Sequence, residues 1–343
     1  MRYFVTGGAG FVGVNLVEKL LSEGNEVVAY DNLSSGSKEP LDAFVRNPRF
    51  HFVAGDVLDA EKLAKSMRGA DVLFHLAANS DIRFAENSPE VELNQGIIAT
   101  YNVLQAMKKS GATKIVFTSS STVYGDAGGQ PLSEDFGPLV PISFYGSSKL
   151  AAEGLICAFC HMYKTQGWIF RLANIVGKGL THGVIFDFVR KLRNNPRQLE
   201  ILGDGKQTKP YLHVSDCVDG MLFGLRNLPA RARAQALGPC PGAEHASAPA
   251  PPERPGNDTI GIFNLSPQDA VSVDRIAQIV VEEMELKNVT FGYTGGTGGW
   301  KGDVPQVRMK ADRLKTLGWK ANMTSEGAVR RAVREVLSQT GSF

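Results

Sequence analysis

Cysteine is scarce in this chain. Four residues in 343 (Cys157, Cys160, Cys217 and Cys240) are too few for a disulfide scaffold of such a length. An excess of one charge is lacking as well: 37 Lys plus Arg stand against 35 Asp plus Glu, a formal net charge of +2. No basic stripe forms, which argues against a nucleic-acid partner. No apolar run approaches the ~18 residues of a membrane helix, and no signal-peptide layout precedes the first strand-like run at Arg2. The six histidines (His51, His75, His161, His182, His213 and His245) have no metal-ligand spacing, so no metal is expected. Internal repeats at periods of roughly 20–50 residues are also absent. The expectation is a soluble, cytoplasmic chain.

Hydrophobic residues make up 43% of the sequence, enough for a sizeable core, and the length suits two lobes. Short apolar runs at Tyr3–Val5, Val27–Tyr30, Phe50–Val53, Val72–Leu76, Lys114–Thr118 and Ile169–Leu172 alternate with helical patterns. That alternation predicts an α/β fold built on a parallel sheet. Helices are predicted over Phe11–Ser22, Val91–Lys108 and Ser143–Tyr163. Pro229–Asp258 breaks the pattern, holding seven of the seventeen prolines, eight alanines and a single Leu. So little apolar surface cannot offset the entropy of ordering, and a mobile excursion is expected. Patterning resumes with a strand at Ile260–Leu265 and helices near Val273–Met284 and Ser325–Leu337.

Thr6-Gly7-Gly8-Ala9-Gly10-Phe11-Val12-Gly13 joins the first strand to the first helix. It fits G-x-G-x-x-G through Gly8, Gly10 and Gly13, and G-x-x-G-x-x-G through Gly7, Gly10 and Gly13. Such a turn lets backbone approach a pyrophosphate where any Cβ would clash, and the helix N-terminus adds donors. Asp31 ends the second strand, placed to accept from both adenosine ribose hydroxyls and to repel a 2′-phosphate, so NAD is favoured over NADP. Asp56, at the end of the third strand, is a candidate to meet the adenine.

Two further segments carry chemistry: Thr118-Ser119-Ser120-Ser121-Thr122-Val123-Tyr124 after a strand, and Tyr145-Gly146-Ser147-Ser148-Lys149 opening a helix. Tyr145 and Lys149 are four apart and share one helix face. An ammonium beside a phenol favours the phenolate, which predicts a Tyr145 pKa drawn from ~10 towards neutrality. A serine on the neighbouring strand can hydrogen-bond the reacting oxygen. This is a general acid–base arrangement.

In these motifs the chain resembles the extended short-chain dehydrogenases/reductases, and within them the nucleotide-sugar epimerases of the UDP-glucose 4-epimerase type. The likeness continues through Asp31–Gly36, His75–Ala78, Arg171–Asn174, Tyr211–Asp216, Phe263–Leu265, Gly302–Pro305 and Leu317–Trp319. It implies a Rossmann-type doubly wound sheet over about residues 1–175 that holds NAD. A smaller C-terminal α/β lobe, 176–343, would hold a UDP-sugar, with segments near 212–228 and 260–265 returning to the first. The implied catalytic residues are Ser120, Tyr145 and Lys149. The implied cofactor contacts are Gly7, Gly10, Phe11, Val12, Gly13, Asp31, Asn32, Ser35, Gly36, Asp56, Val57, Leu76, Ala77 and Ala78, with Tyr145 and Lys149. Substrate contacts would add Asn174, Leu199, Ile201, Lys209, Tyr211 and Val307. The implied reaction passes through a transient 4-keto sugar that rotates in the cleft, in a homodimer that pairs two long helices of each subunit.

Departures from the family pattern narrow the reading. Related dehydratases carry an Asp-Glu pair directly after the serine, and decarboxylases a glutamate; Ser121 and Thr122 stand here, and neither ionises usefully. Epimerization is therefore favoured over dehydration, decarboxylation or reduction. The intact triad argues against a non-catalytic dinucleotide sensor. Lys209-Pro210-Tyr211 replaces an Arg-Asp-Tyr run, and Gly298, Gly299 and Trp300 stand where a second phosphate-binding arginine is expected, with Arg308 a candidate substitute. Val307 occupies a position that narrow-specificity 4-epimerases fill with tyrosine, which implies room for N-acetylated sugars. Cys157 and Cys160 are read as helix packing residues, and Arg330, Arg331 and Arg334 as a solvated helix face.

Overall fold

The computed structural model describes residues 1–79, 84–227, 259–300 and 302–339; the segment Pro229–Asp258 falls outside the described residues. Seven parallel strands form the central sheet: β1 (Arg2–Thr6), β2 (Glu26–Asp31), β3 (Phe50–Ala54), β4 (Val72–His75), β5 (Lys114–Ser120), β6 (Gln166–Leu172) and β7 (Ile260–Leu265). Their spatial order is β3-β2-β1-β4-β5-β6-β7. Strand order reverses between β1 and β4, the place where an open α/β sheet opens a crevice at its carboxyl ends. Helices cover both faces, so β1 and β4 read as nearly unbroken apolar runs rather than alternating ones.

Helix α1 (Phe11–Ser22) starts where the sequence pattern places it, because Gly10 is extended (φ −77°, ψ 170°) and lets the chain turn off β1. Leu16, Val17 and Leu20 bury its inner face. On the other side of the sheet, α2 (Ala60–Ser66), α3 (Ala99–Ser110) and α4 (Phe144–Tyr163) pack over Phe4, Leu73 and Phe117. Ser143 caps α4 by accepting from Gly146 N at 3.0 Å. The continuous helix expected over Val91–Lys108 is interrupted by a π-helical stretch, Leu93–Ile98. Gly96 lies in that stretch against α4; a Cβ there would come within 2.6 Å of Ser148 Cβ. The absent side chain lets the widened turn approach α4 closely.

Helix α6 (Val214–Asn227) packs on α1, and β7 pairs with β6, so parts of the second half complete the first lobe. The remaining second lobe gathers α5 (Val184–Asn194), α7 (Val273–Glu283) and α8 (Ser325–Gln339) around Ile185, Leu192, Ile276, Val280 and Val333. The arginines of α8 do more than face solvent. Arg330 reaches Glu282 and Glu283 at 2.7 Å each, and Arg334 reaches Glu283 at 2.6 Å, lacing α8 to α7. Linked pairs of this kind hold better than isolated surface bridges.

Candidate active site

A cleft of about 810 Å³ opens at the carboxyl ends of the sheet and runs towards α5 and the second lobe. Its size suits a small-molecule site. Gly7, Gly10, Phe11, Val12 and Gly13 line one end. Gly7 is left-handed (φ +69°), and a Cβ there would meet Ala77 N at 2.7 Å; at Gly13 it would meet Gly7 O at 2.1 Å. At Gly10, by contrast, the only atom near an added Cβ is Gly7 O at 3.3 Å, so its bare edge faces the cleft. No side chain caps the first turn of α1, and no acidic residue sits in it, which leaves its donors for an anion.

Asp31 is pinned by its own backbone surroundings: Ala9 N donates to Oδ2 at 3.0 Å and Leu33 N to Oδ1 at 2.8 Å. Each carboxylate oxygen keeps acceptor capacity towards the cleft it lines. Asn32, Ser35, Gly36, Val57, Leu76, Ala77 and Ala78 line the same end. This cradle, bare of Cβ atoms at the helix start and acidic at the strand end, fits a dinucleotide. Asp56 does not line the cleft. Its carboxylate accepts from Asn32 Nδ2 at 2.9 Å and Leu58 N at 2.8 Å.

Ser120, Tyr145 and Lys149 converge in the middle of the cleft. Ser120 Oγ accepts from Thr122 N at 3.2 Å and from Thr122 Oγ1 at 3.0 Å. It also hydrogen-bonds the Tyr145 phenol. Lys149 is buried; its Nζ donates to the Thr118 carbonyl at 2.8 Å and lies 5.6 Å from the Tyr145 ring centre. Burial pulls the Lys149 ammonium down to about 8, opposed by the carboxylates of Glu92 and Glu153. For Tyr145 the expected lowering is reversed. Burial of its hydroxyl pushes the phenol up and Glu92 adds to that, with only the Ser120 hydrogen bond pulling down. A dry site penalises phenolate, and the ammonium bonds a carbonyl rather than the phenol oxygen.

The other end is lined by Asn174, Lys209, Tyr211, Trp300, Asp303 and Val307. Lys209 forms an ion pair with Asp303, which also accepts from Gly299 N at 2.9 Å. Leu199 and Ile201 do not line the cleft. They are fully buried against α5 and α7 in the second-lobe core, on the inward side of a strand whose Gln198 and Glu200 are exposed. Arg308 is exposed and does not line the cleft; the arginine that does is Arg190 of α5, which sequence spacing does not single out. Among the described residues no cluster of three potential metal ligands occurs, and no helix is long and apolar enough to cross a membrane.

The family described as "NAD dependent epimerase/dehydratase family" matches residues 3–235, more than half of the chain. A putative UDP-glucose 4-epimerase of Methanocaldococcus jannaschii is 29% identical over 336 residues, covering 96% of each chain. UDP-glucuronic acid decarboxylase 1 of Arabidopsis thaliana is 35% identical over 235 residues, 66% of this chain and 52% of its own length. A crystal structure of a UDP-galactose 4-epimerase superposes with a TM-score of 0.82 at 35% identity, covering 99% of this chain and 100% of that one. With its sheet order, glycine cradle and Ser-Tyr-Lys site, the chain belongs to the NAD-dependent epimerase/dehydratase family.

Proposed function

We propose that this chain is an NAD-dependent 4-epimerase of UDP-sugars. The observation that carries the reading is Ser120, Tyr145 and Lys149 meeting in one cleft whose positions 121 and 122 offer no ionisable group. Elimination of water requires an acid and a base beside the reacting carbons; two hydroxyls cannot serve. Gly7, Gly10 and Gly13 would cradle the pyrophosphate of NAD, Asp31 its adenosine ribose, and Lys149 its nicotinamide ribose. When bound, NAD supplies the hydride acceptor, and later donor, for C4 of the sugar.

The chain's own groups handle the proton. As a phenolate, the form that burial opposes and the Lys149 ammonium beside its ring favours, Tyr145 takes it from the 4-hydroxyl and returns it to the oxygen once the opposite face of C4 is presented. Ser120, its hydroxyl aimed by Thr122, holds that oxygen during the exchange. Lys209, Asn174 and Arg190 form the polar side towards the nucleotide diphosphate. Incubation with UDP-glucose and chromatography of the products tests the reading: UDP-galactose at equilibrium supports it, and a 4-keto-6-deoxy product overturns it. The 35% identity to a plant decarboxylase makes UDP-glucuronic acid the second substrate to try. A UDP-pentose from it would favour that relative's chemistry.

A further inference from the structure

Behind the Tyr145–Lys149 face lies a carboxylate that the reaction as described does not use. Glu92 precedes the π-helical stretch and is only 3% exposed. Ser148 Oγ donates to its Oε2 at 2.7 Å, and Asn79 Nδ2 to its Oε1 at 2.9 Å. Ser148 lies between Tyr145 and Lys149 on α4, and Asn79 lines the cleft beside Ala77 and Ala78. The carboxylate thus ties the catalytic helix to the cofactor-side loop, and bare Gly96 gives it and Ser148 room to meet.

We propose that Glu92 is a positioning residue whose carboxylate, fixed by Ser148 and Asn79, holds the Tyr145–Lys149 face of α4 to the cofactor-side loop and acts on both catalytic groups at once. The inference rests on the reading of the cleft as an NAD site. Glu153, one turn further along α4, also acts on Lys149 but not on Tyr145, and it is tied to Arg171 of β6 at 2.8 Å. His75 of β4 is buried and neutral, held between Thr6 and Thr100. Glu92 is the carboxylate that acts on both members of the pair, raising each proton affinity. Its removal therefore displaces both in the same direction.

The experiment measures NAD affinity by calorimetry from pH 6 to 10, and the pH profile of kcat/KM, in the parent, Glu92→Gln and Glu92→Asp. In the parent, affinity declines as Lys149 loses its proton. In Glu92→Gln that midpoint moves down by roughly one pH unit, the usual scale for losing one nearby opposite charge, and both limbs of the rate profile slide the same way. Glu92→Asp, with its charge drawn back by one methylene, moves the midpoint in the same direction by about half as much, and it decides the matter if the Gln variant does not fold. A uniform loss of rate with unmoved limbs and midpoint overturns the proposal and leaves the cleft reading intact. Failure of the parent to bind NAD overturns both.

Discussion

Glu153 and Arg171 face each other in full burial, joined by hydrogen bonds from Arg171 Nε at 3.0 Å and Nη2 at 2.8 Å. Glu153 stands one turn beyond Lys149 on α4, so the pair fastens the catalytic helix to the sheet. The network extends on both sides. Ser119 Oγ donates to Glu153 at 2.5 Å, and Arg171 Nη1 reaches Tyr124, whose hydroxyl donates to Asn264 Oδ1 at 2.7 Å. Four segments that frame the site, β5, α4, β6 and β7, are thereby held in one register.

Breaking that pair from one side leaves a buried charge without a partner. Arg171→Met is expected to destabilise by about 3–5 kcal/mol, and adding Glu153→Gln to recover part of the loss. Urea unfolding midpoints of the parent, single and double variants measure this. A single variant within 1 kcal/mol of the parent would show that water relieves the charge.

Tyr145→Phe keeps the ring and removes the proton carrier. Turnover should fall by roughly 10²–10⁴-fold while NAD affinity stays near that of the parent. Thr122→Val strips one of the two hydrogen bonds that aim Ser120 and should cost less. Wild-type turnover in Tyr145→Phe would remove Tyr145 from the reaction.

His75 gives a prediction for stability against pH. Burial, with Lys149 nearby, lowers its imidazole from 6.5 to about 3. Between those values the unfolded chain takes up a proton that the folded chain refuses. Stability should therefore fall as pH drops through that window, by up to about 1.4 kcal/mol per unit from this residue. His75→Gln, which can still bond Thr6 and Thr100, should flatten the acid side of a plot of melting temperature against pH. An identical slope in the variant would assign the loss to other groups.

Local chemistry made much of this legible. The glycine turn and the apolar spacing of Leu16, Val17 and Leu20 define α1 to the residue, because backbone and packing agree there. Strands β1 to β6 announce themselves as buried runs for the same reason. Direction of a side chain is another matter. Leu199 and Ile201 alternate with Gln198 and Glu200, a period-2 signal that points them into the core and that motif spacing does not carry. Glu92 and Arg190 sit on helices among other polar residues, so nothing in the spacing separates a buried carboxylate or a cleft arginine from a solvated one. The Tyr145 shift is not legible in the sequence because sequence neighbours report charge, whereas desolvation depends on the whole fold.

Assembly is the next expectation. Ile98, Tyr101 of α3, and Phe144, Met162 and Tyr163 of α4 are exposed large apolar residues on the helix pair, Met162 by 72%. Exposed apolar residues along both helices suit a two-fold partner. Sedimentation at micromolar concentration should give a mass of two chains, and Tyr101→Glu with Met162→Glu should return one. A monomeric parent would count against the pairing.

Substrate breadth turns on Val307. It lines the cleft with 7% exposure, beside Val304 and near the Lys209–Asp303 pair. Valine leaves unfilled most of the volume of a phenol ring, the group that narrow-specificity relatives are expected to place here. UDP-GlcNAc and UDP-GalNAc should accordingly be interconverted alongside UDP-glucose and UDP-galactose. Val307→Tyr should suppress the N-acetylated pair selectively, since a clash of several heavy atoms between the ring and the N-acetyl group costs on the order of 1–3 kcal/mol. That corresponds to a roughly 5- to 150-fold change in the ratio of kcat/KM values, read by chromatography of the four sugars. Trp300 lines the same cleft and is the other group large enough to close the space. Equal losses on all four sugars in Val307→Tyr, or a parent inactive on the N-acetylated forms, would shift the gate from Val307 to Trp300, with Trp300→Ala then expected to admit them.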